Sequence, residues 1–444
     1  MSVVGRDRAP RGRRLIRRRL GAVLVAAFVA TGLAACGGQD GGAPRLTWYT
    51  NPDSGGQAEL ARRCTAAASG AYTIRTAVMP RESSEQRQQL VRRLAANDSS
   101  IDLMSLDPPY IPEFAEARFL APVPADVAAR VSQGVVDSAR QGATWRGTLV
   151  TVPFWANTQL LWYRKSVATA AGLDLSRPVT WQQLIDAARG QGQQFAVQGL
   201  RAEALTVWVN ALVASAGGAI VTDPSPDNPA QIKLGLADPP AAEAARVMRA
   251  VADAGVGGPA LSTSGEDANV NAFEAGEAAF MVNWPFVWPR AQAGVEGGTL
   301  DASVPADYGW ALYPRVQADR PSTPPYGGIN LGVGAFSEHP DLAYAAAECI
   351  TSEQNQAYYF ISNGNPAARA AVYDDPEVLR EFPMAPVIRE SLEQAAPRPQ
   401  TPYYSEVSES VQRIYHPPSQ VDPATTGRRA ADLISAVLAK KELL

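Results

Sequence analysis

The sequence predicts an α/β chain in two lobes, each a mixed, parallel-rich sheet flanked by helices, and three observations lead there. Strand-like and helix-like periodicities alternate along the body. The body is roughly 400 residues, long for a single hydrophobic core. Finally, TLVTVPFWANTQLLWYRK (148–165) reads as strand, short break at Pro153–Asn157, then strand. Two strands joined without a helix suit a crossing from one lobe to the other.

The N-terminus reads as an export leader. Residues 1–19 hold eight arginines and one acid, Asp7. From Leu20 to Ala35 the chain is apolar or small, too short for a comfortable bilayer span of roughly 20 residues. It ends in Leu33-Ala34-Ala35-Cys36, which matches the bacterial lipobox, so a signal peptide over 1–35 and lipid on Cys36 are expected. An ordinary signal peptide or an uncleaved anchor are the alternatives. Residues 36–43, rich in glycine, suit a flexible tether to the outer face of the cell membrane.

The chain has 40 basic and 44 acidic residues, and the leader holds eight and one of them. The remaining 32 and 43 give a formal charge of −11, which argues against nucleic-acid partners. No later segment approaches a transmembrane helix. Cys64 and Cys349 remain beside Cys36; in an oxidising compartment they either pair or stand as separate buried thiols.

Arg45 to Tyr49 reads as a first strand, 57–68 as a helix and Tyr72–Val78 as an alternating strand. Ser83 and Gln86 form a capping-box pattern for the next helix, and Ile101–Leu106 is a strand stopped by Asp107-Pro108-Pro109. Thr180 and Gln183 repeat the box. Trp208 to Ala214 is a buried helix face ended by Gly217-Gly218. From Ser264 to Trp288 (SGEDANVNAFEAGEAAFMVNWPFVW), Ser264 is the expected cap of a helix holding Glu266 and Asp267 in its first turn. Gly276 closes that helix, Ala278–Asn283 is a strand, and Trp284-Pro285 turns out of it.

Here the chain resembles the extracellular solute-binding proteins of ABC importers, in the sugar-binding group that includes maltose-binding protein. Phe273, Gly276, Ala278, Ala279, Met281, Trp284 and Pro285 occupy the places of that group's pattern. PFWANTQLLWYR (153–164) resembles its first inter-lobe crossing, and YGGINLGV (326–333) its glycine-rich strand in the later hinge region. TVWVNALVASAGG (206–218) resembles a helix of its second lobe. Within the group, EQRQQLVRRLAAND, NTQLLWYR, VNWPFV, RPQTPYY and the placing of Cys64 and Cys349 are similar to the trehalose-binding lipoproteins of mycobacteria, the LpqY type.

The resemblance implies a periplasmic-binding-protein-like fold with lobe 1 over 44–153 and 305–350 and lobe 2 over 157–300 and 353–444. It implies trehalose or a related disaccharide held between the lobes of a monomer, and an inner-membrane permease with a cytoplasmic ATPase as partner. No cofactor or metal is expected. Sugars offer paired hydroxyls and apolar faces, so a receptor wants an aromatic platform edged by carboxylates, amides and guanidinium groups.

Six residues are the candidate ligand set. Asp107 ends a strand, and its alternative role is an Asx-turn. Asn157 stands at the crossing, or bonds local backbone. Glu266 sits where its carboxylate also complements a helix dipole. Trp284, next to a proline at a strand end, is the stacking platform. Gly328, with Gly327, permits close backbone approach or hinge motion. Arg398, between Pro397 and Pro399, presents a rigid fork of donors. Glu82, Trp208 and Asn283 are further candidates, with core packing as the alternative for Trp208.

The enzyme alternative finds little support. His339 and His416 are isolated beside prolines, and there is no zinc cluster, nucleophile elbow or phosphate loop. A secreted carbohydrate-active enzyme would need Asp107 and Glu266 to converge. A structural adhesin is the third class.

Overall fold

The computed structural model describes residues 42–444 apart from 225 and 226; the expected leader, Cys36 and most of the tether lie outside the described residues.

Five strands form the first sheet, in the order Thr73–Val78, Arg45–Thr50, Leu103–Leu106, Tyr326–Val333, Val152–Thr158. Both faces are covered. Leu46 and Trp48 enter one core with Leu60, Phe154 and Leu331, while Tyr49 and Met104 enter another with Leu90 and Phe114. This is why Leu46 to Thr50 are buried without alternation. The first three strands pair in parallel, and Tyr326–Val333 runs antiparallel to both its neighbours.

The second sheet has the order Tyr308–Ala311, Leu160–Arg164, Ala278–Asn283, Gln194–Ala196. Only its last pairing is parallel. The sheets are mixed, so the expected bias to parallel pairing is absent: three of the seven pairings in these two sheets are parallel. Helices Trp181–Gly190, Glu203–Ser215, Pro239–Asp253, Tyr404–Tyr415 and Thr426–Leu438 cover one face. Eleven residues of Glu203–Ser215 are buried, and Gly217, at φ +85°, turns the chain so that the Gly218 amide reaches the Val213 carbonyl.

The passage between sheets falls later than the expected Pro153–Asn157. Val152–Thr158 is one continuous strand of the first sheet, Leu160–Arg164 belongs to the second, and Gln159 alone stands between them. Pro153 is tolerated because a register shift sits there: Ile329 pairs with Trp155 and Asn330 with Pro153. Two further elements lie across the expected boundaries. Tyr308–Ala311 joins the second sheet, and helix Glu353–Asn363 packs on the first, where Tyr359 stacks on Phe154 at 5.0 Å. A third core, containing Ala156, Leu160, Trp162, Met281, Tyr326, Phe360 and Ile388, backs the crossing.

Cys64 and Cys349 form a disulfide that joins helix Gly56–Ala67 to helix Pro340–Ile350. Both helices pack in the same core.

Local capping divides cleanly. The Thr180 hydroxyl accepts from the Gln183 amide and the Gln183 side chain returns to Thr180, completing that box. The box expected at Ser83 does not form: Glu82 is the N-cap, and the Gln86 side-chain amide donates instead to the carbonyls of Pro80 and Arg81. Likewise Gly265, not Ser264, is the cap of helix Glu266–Glu274.

Candidate ligand-binding cleft

Two groups of side chains gather near the passage between the sheets. The first is built on Trp284. Strand Ala278–Asn283 delivers it, and Asn283 locks it: this fully buried amide accepts from the Trp284 main-chain N–H at 2.9 Å. The same amide donates to the main-chain oxygen of Glu266 at 3.1 Å, which ties the helix start to the strand end. The Trp162 indole in turn donates to the Asn283 carbonyl. Asn283, a candidate ligand residue, thus positions its neighbours.

Trp284 is half-buried, and its ring covers Gly327. A Cβ at Gly327 would stand 3.0 Å from the indole edge, a tight contact that would press the ring outward by a few tenths of an ångström. Gly327 pairs across the sheet with Asn157, whose buried side chain accepts from the Thr158 amide at 3.0 Å. Gly328 follows at φ +112°, a conformation that favours glycine, and any side chain there would collide with the Trp155 carbonyl. Trp284, Gly327 and Asn157 are therefore brought together, with Gly328 next in the strand.

Glu266 stands beside this platform. Burial pushes its carboxyl above the ordinary value, opposed by its own helix amide and the Trp284 indole, while Glu82 and Asp267 add to the rise. Among the described residues no cation pairs with it. The exposed rim cation Arg81 is held by Asp267 at 2.6 Å, and Arg290 binds Asp267, Asn271 and Glu274.

The second group is built on Arg398. Strand Leu103–Leu106 ends at Asp107, which makes no Asx-turn or cap; its carboxylate accepts from Nη2 of Arg398. Nη1 donates to Glu203 at 2.7 Å. Glu203 opens helix Glu203–Ser215 and also accepts from the hydroxyls of Tyr404 and Ser408. Ser408 exchanges a 2.8 Å hydrogen bond with Thr206. Arg398 is only 5% exposed. Burial alone would lower its pKa, but Asp107, Tyr404 and Glu203 hold it well above the usual arginine value. Burial drives Asp107 upward, with Arg398 pulling it back and Glu203 pushing it further up. Both terminal nitrogens of Arg398 thus engage protein carboxylates, one from each sheet's side of the molecule, which is a tie rather than a free clamp.

The start of helix Ser83–Ala95 links the groups. Glu82 acts on Glu266, and the next residue, Ser83, hydrogen-bonds toward Asp107 and Tyr110. Tyr326 does the same from below: Gly327, beside it, meets Trp284, while Tyr326 lies in the field of Asp107 and Arg398. Its main-chain amide is fixed to the Ala396 carbonyl at 2.9 Å, two residues from Arg398.

Trp208 is not in the cleft. It is fully buried and packs against Trp181 in the second lobe's core, because the helix that carries it is covered on every side. Glu203, Tyr326, Tyr404, Ser408 and Ser83 are the residues sequence reasoning missed. Glu203 had one signal: a lone acid opening an otherwise apolar, buried helix needs more than the helix dipole to justify it.

Comparison with known proteins agrees with this architecture. The family model for bacterial extracellular solute-binding proteins matches residues 73–357. A probable ABC transporter-binding protein of Deinococcus radiodurans is 25% identical over 355 residues, covering 76% of this chain and 80% of that protein. The mannitol-binding protein of Pseudomonas aeruginosa is 28% identical over 339 residues, 71% of this chain and 72% of its own. Among solved structures, maltose-bound MalE3 of T. maritima superimposes with a TM-score of 0.75 at 26% identity, covering 90% of this chain and all of that one.

Proposed function

The chain belongs to the bacterial extracellular solute-binding proteins, which hold solutes rather than convert them, and from that premise we propose that it delivers a disaccharide, trehalose or a close relative, to an ABC importer. The observation that carries the reading is Trp284 lying over Gly327 beside the Glu266 carboxylate and Asn157. An aromatic face suits the apolar side of a pyranose, and the carboxylate and amide suit its hydroxyls. Gly328 extends the Gly327 side, and Asp107 with the tied Arg398 forms the opposite boundary. The relatives named for mannitol and crystallised with maltose support a polyhydroxylated ligand.

In this reading, lipid on Cys36 holds the receptor on the outer face of the membrane beside its permease. Closure of the two lobes about Gln159 presents both to that partner. Calorimetry with trehalose, maltose, sucrose, glucose and mannitol tests the ligand. Trehalose is expected to bind tightest and to remain chemically intact. Binding confined to another sugar removes the trehalose assignment, and release of glucose removes the receptor reading.

A further inference from the structure

A further cavity, of about 320 Å³, lies against helix Glu266–Glu274, at the small end of the roughly 300–1,000 Å³ typical of ligand pockets. Ala268 and Ala272 of the helix form one wall. Gln194, on the edge strand of the second sheet, forms another with the loop at 257–260. At about 3.6 residues per turn, Ala268 and Ala272 fall on the helix face turned away from Glu266, so the cavity is separate from the cleft.

The polar groups of this cavity are unspent. Asn269 lines it and is 3% exposed, and its side-chain nitrogen is buried without a hydrogen-bond partner. Ser264, also buried, is the residue expected to cap the helix; because Gly265 takes that position, the Ser264 hydroxyl is left to the cavity. The Gln194 carboxamide makes no hydrogen bond among the described residues. It is seated against Gly258, where a Cβ would stand 2.4 Å from its oxygen. Buried polar groups are normally paired, so the unmatched nitrogen of Asn269 points to a ligand.

The lining selects that ligand. None of the lining residues is cationic and Glu277 adds an exposed carboxylate, so an anion has nothing to meet. No aromatic ring lines the cavity either. What it offers is carboxamides and a hydroxyl, which donate and accept, between alanine walls that suit C–H surface. We infer that this cavity is a second binding site, taking a neutral polyhydroxylated molecule the size of a single sugar ring or an open-chain polyol. The site goes beyond the disaccharide reading and does not depend on it.

The test is NMR of the full-length protein carrying isotope-labelled asparagine. The Asn269 side-chain resonance, identified by its loss in Asn269→Leu, is expected to shift saturably with D-mannitol or D-glucose, with a dissociation constant of about 1 mM. It should shift equally in Trp284→Ala, whose cleft is impaired, and stay still in Ala272→Phe, whose ring fills the cavity. A resonance unmoved at about 100 mM of either compound overturns the second site. So does a response lost in Trp284→Ala, or one that survives in Ala272→Phe. Crystals soaked in D-mannitol give the same answer without a variant: density between Asn269 and Gln194 is expected, and density confined to the cleft overturns the site. None of these results bears on the disaccharide reading, which stands or falls on the calorimetry above.

Discussion

The two ends of the cleft hold similar residue types in opposite states. At the Arg398 end, guanidinium, two carboxylates and two hydroxyls bond one another. At the Trp284 end, a half-buried indole and a carboxylate that meets no cation among the described residues stand beside the glycine backbone of 327 and 328. A charged residue in a cleft is therefore no guide to recognition by itself. Its partners decide whether it binds a ligand or holds the protein together.

Three substitutions separate the ends. The largest effect is expected from Arg398→Met, which strands two buried carboxylates and should cost about 3–5 kcal/mol in urea unfolding. A loss confined to sugar affinity would return Arg398 to the ligand set and erase the contrast. Trp284→Ala comes next. It should weaken disaccharide binding by about 2 kcal/mol, roughly 30-fold, while unfolding far less than the Arg398 variant. Unchanged calorimetric affinity takes Trp284 out of the site.

The smallest effect concerns protons. Glu266 is raised in the folded state, so above its ordinary value of 4.5 the folded form binds more protons than the unfolded one. Stability therefore falls as pH rises from 4.5 through the raised value. Glu266→Gln should remove part of that fall and raise the neutral-pH melting temperature by about 1–2 °C. A variant that melts lower at neutral pH would mean that the carboxylate has a stabilising partner.

The same contrast explains what could be read from the sequence. That Trp284 stands at a strand end was legible because strand ends, glycines and prolines impose local constraints that leave marks in a linear pattern, and the structure sets it on Gly327, the partner of Asn157. The Arg398 tie was half legible. Its prolines announced a presented side chain, but Glu203 lies 195 residues away, and nothing local links the two. Pro153 misled because a bulge lets a proline sit inside a paired strand. Ser83 misled because a capping pattern competes with whatever carbonyls tertiary packing brings near, here those of Pro80 and Arg81. At Thr180 no such competitor intervenes, and the same pattern holds.

The strand Tyr326–Val333 occupies the gap between Leu103–Leu106 and Val152–Thr158, although it follows the later of them by well over a hundred residues. A chain emerging from a ribosome or a translocation pore thus carries two open sheet edges until roughly residue 333 has appeared. The first sheet cannot close until every strand of the second has appeared, since Tyr326–Val333 follows them all. Such a polypeptide keeps unpaired edges exposed until that strand arrives, an interval in which edge-to-edge association competes with folding.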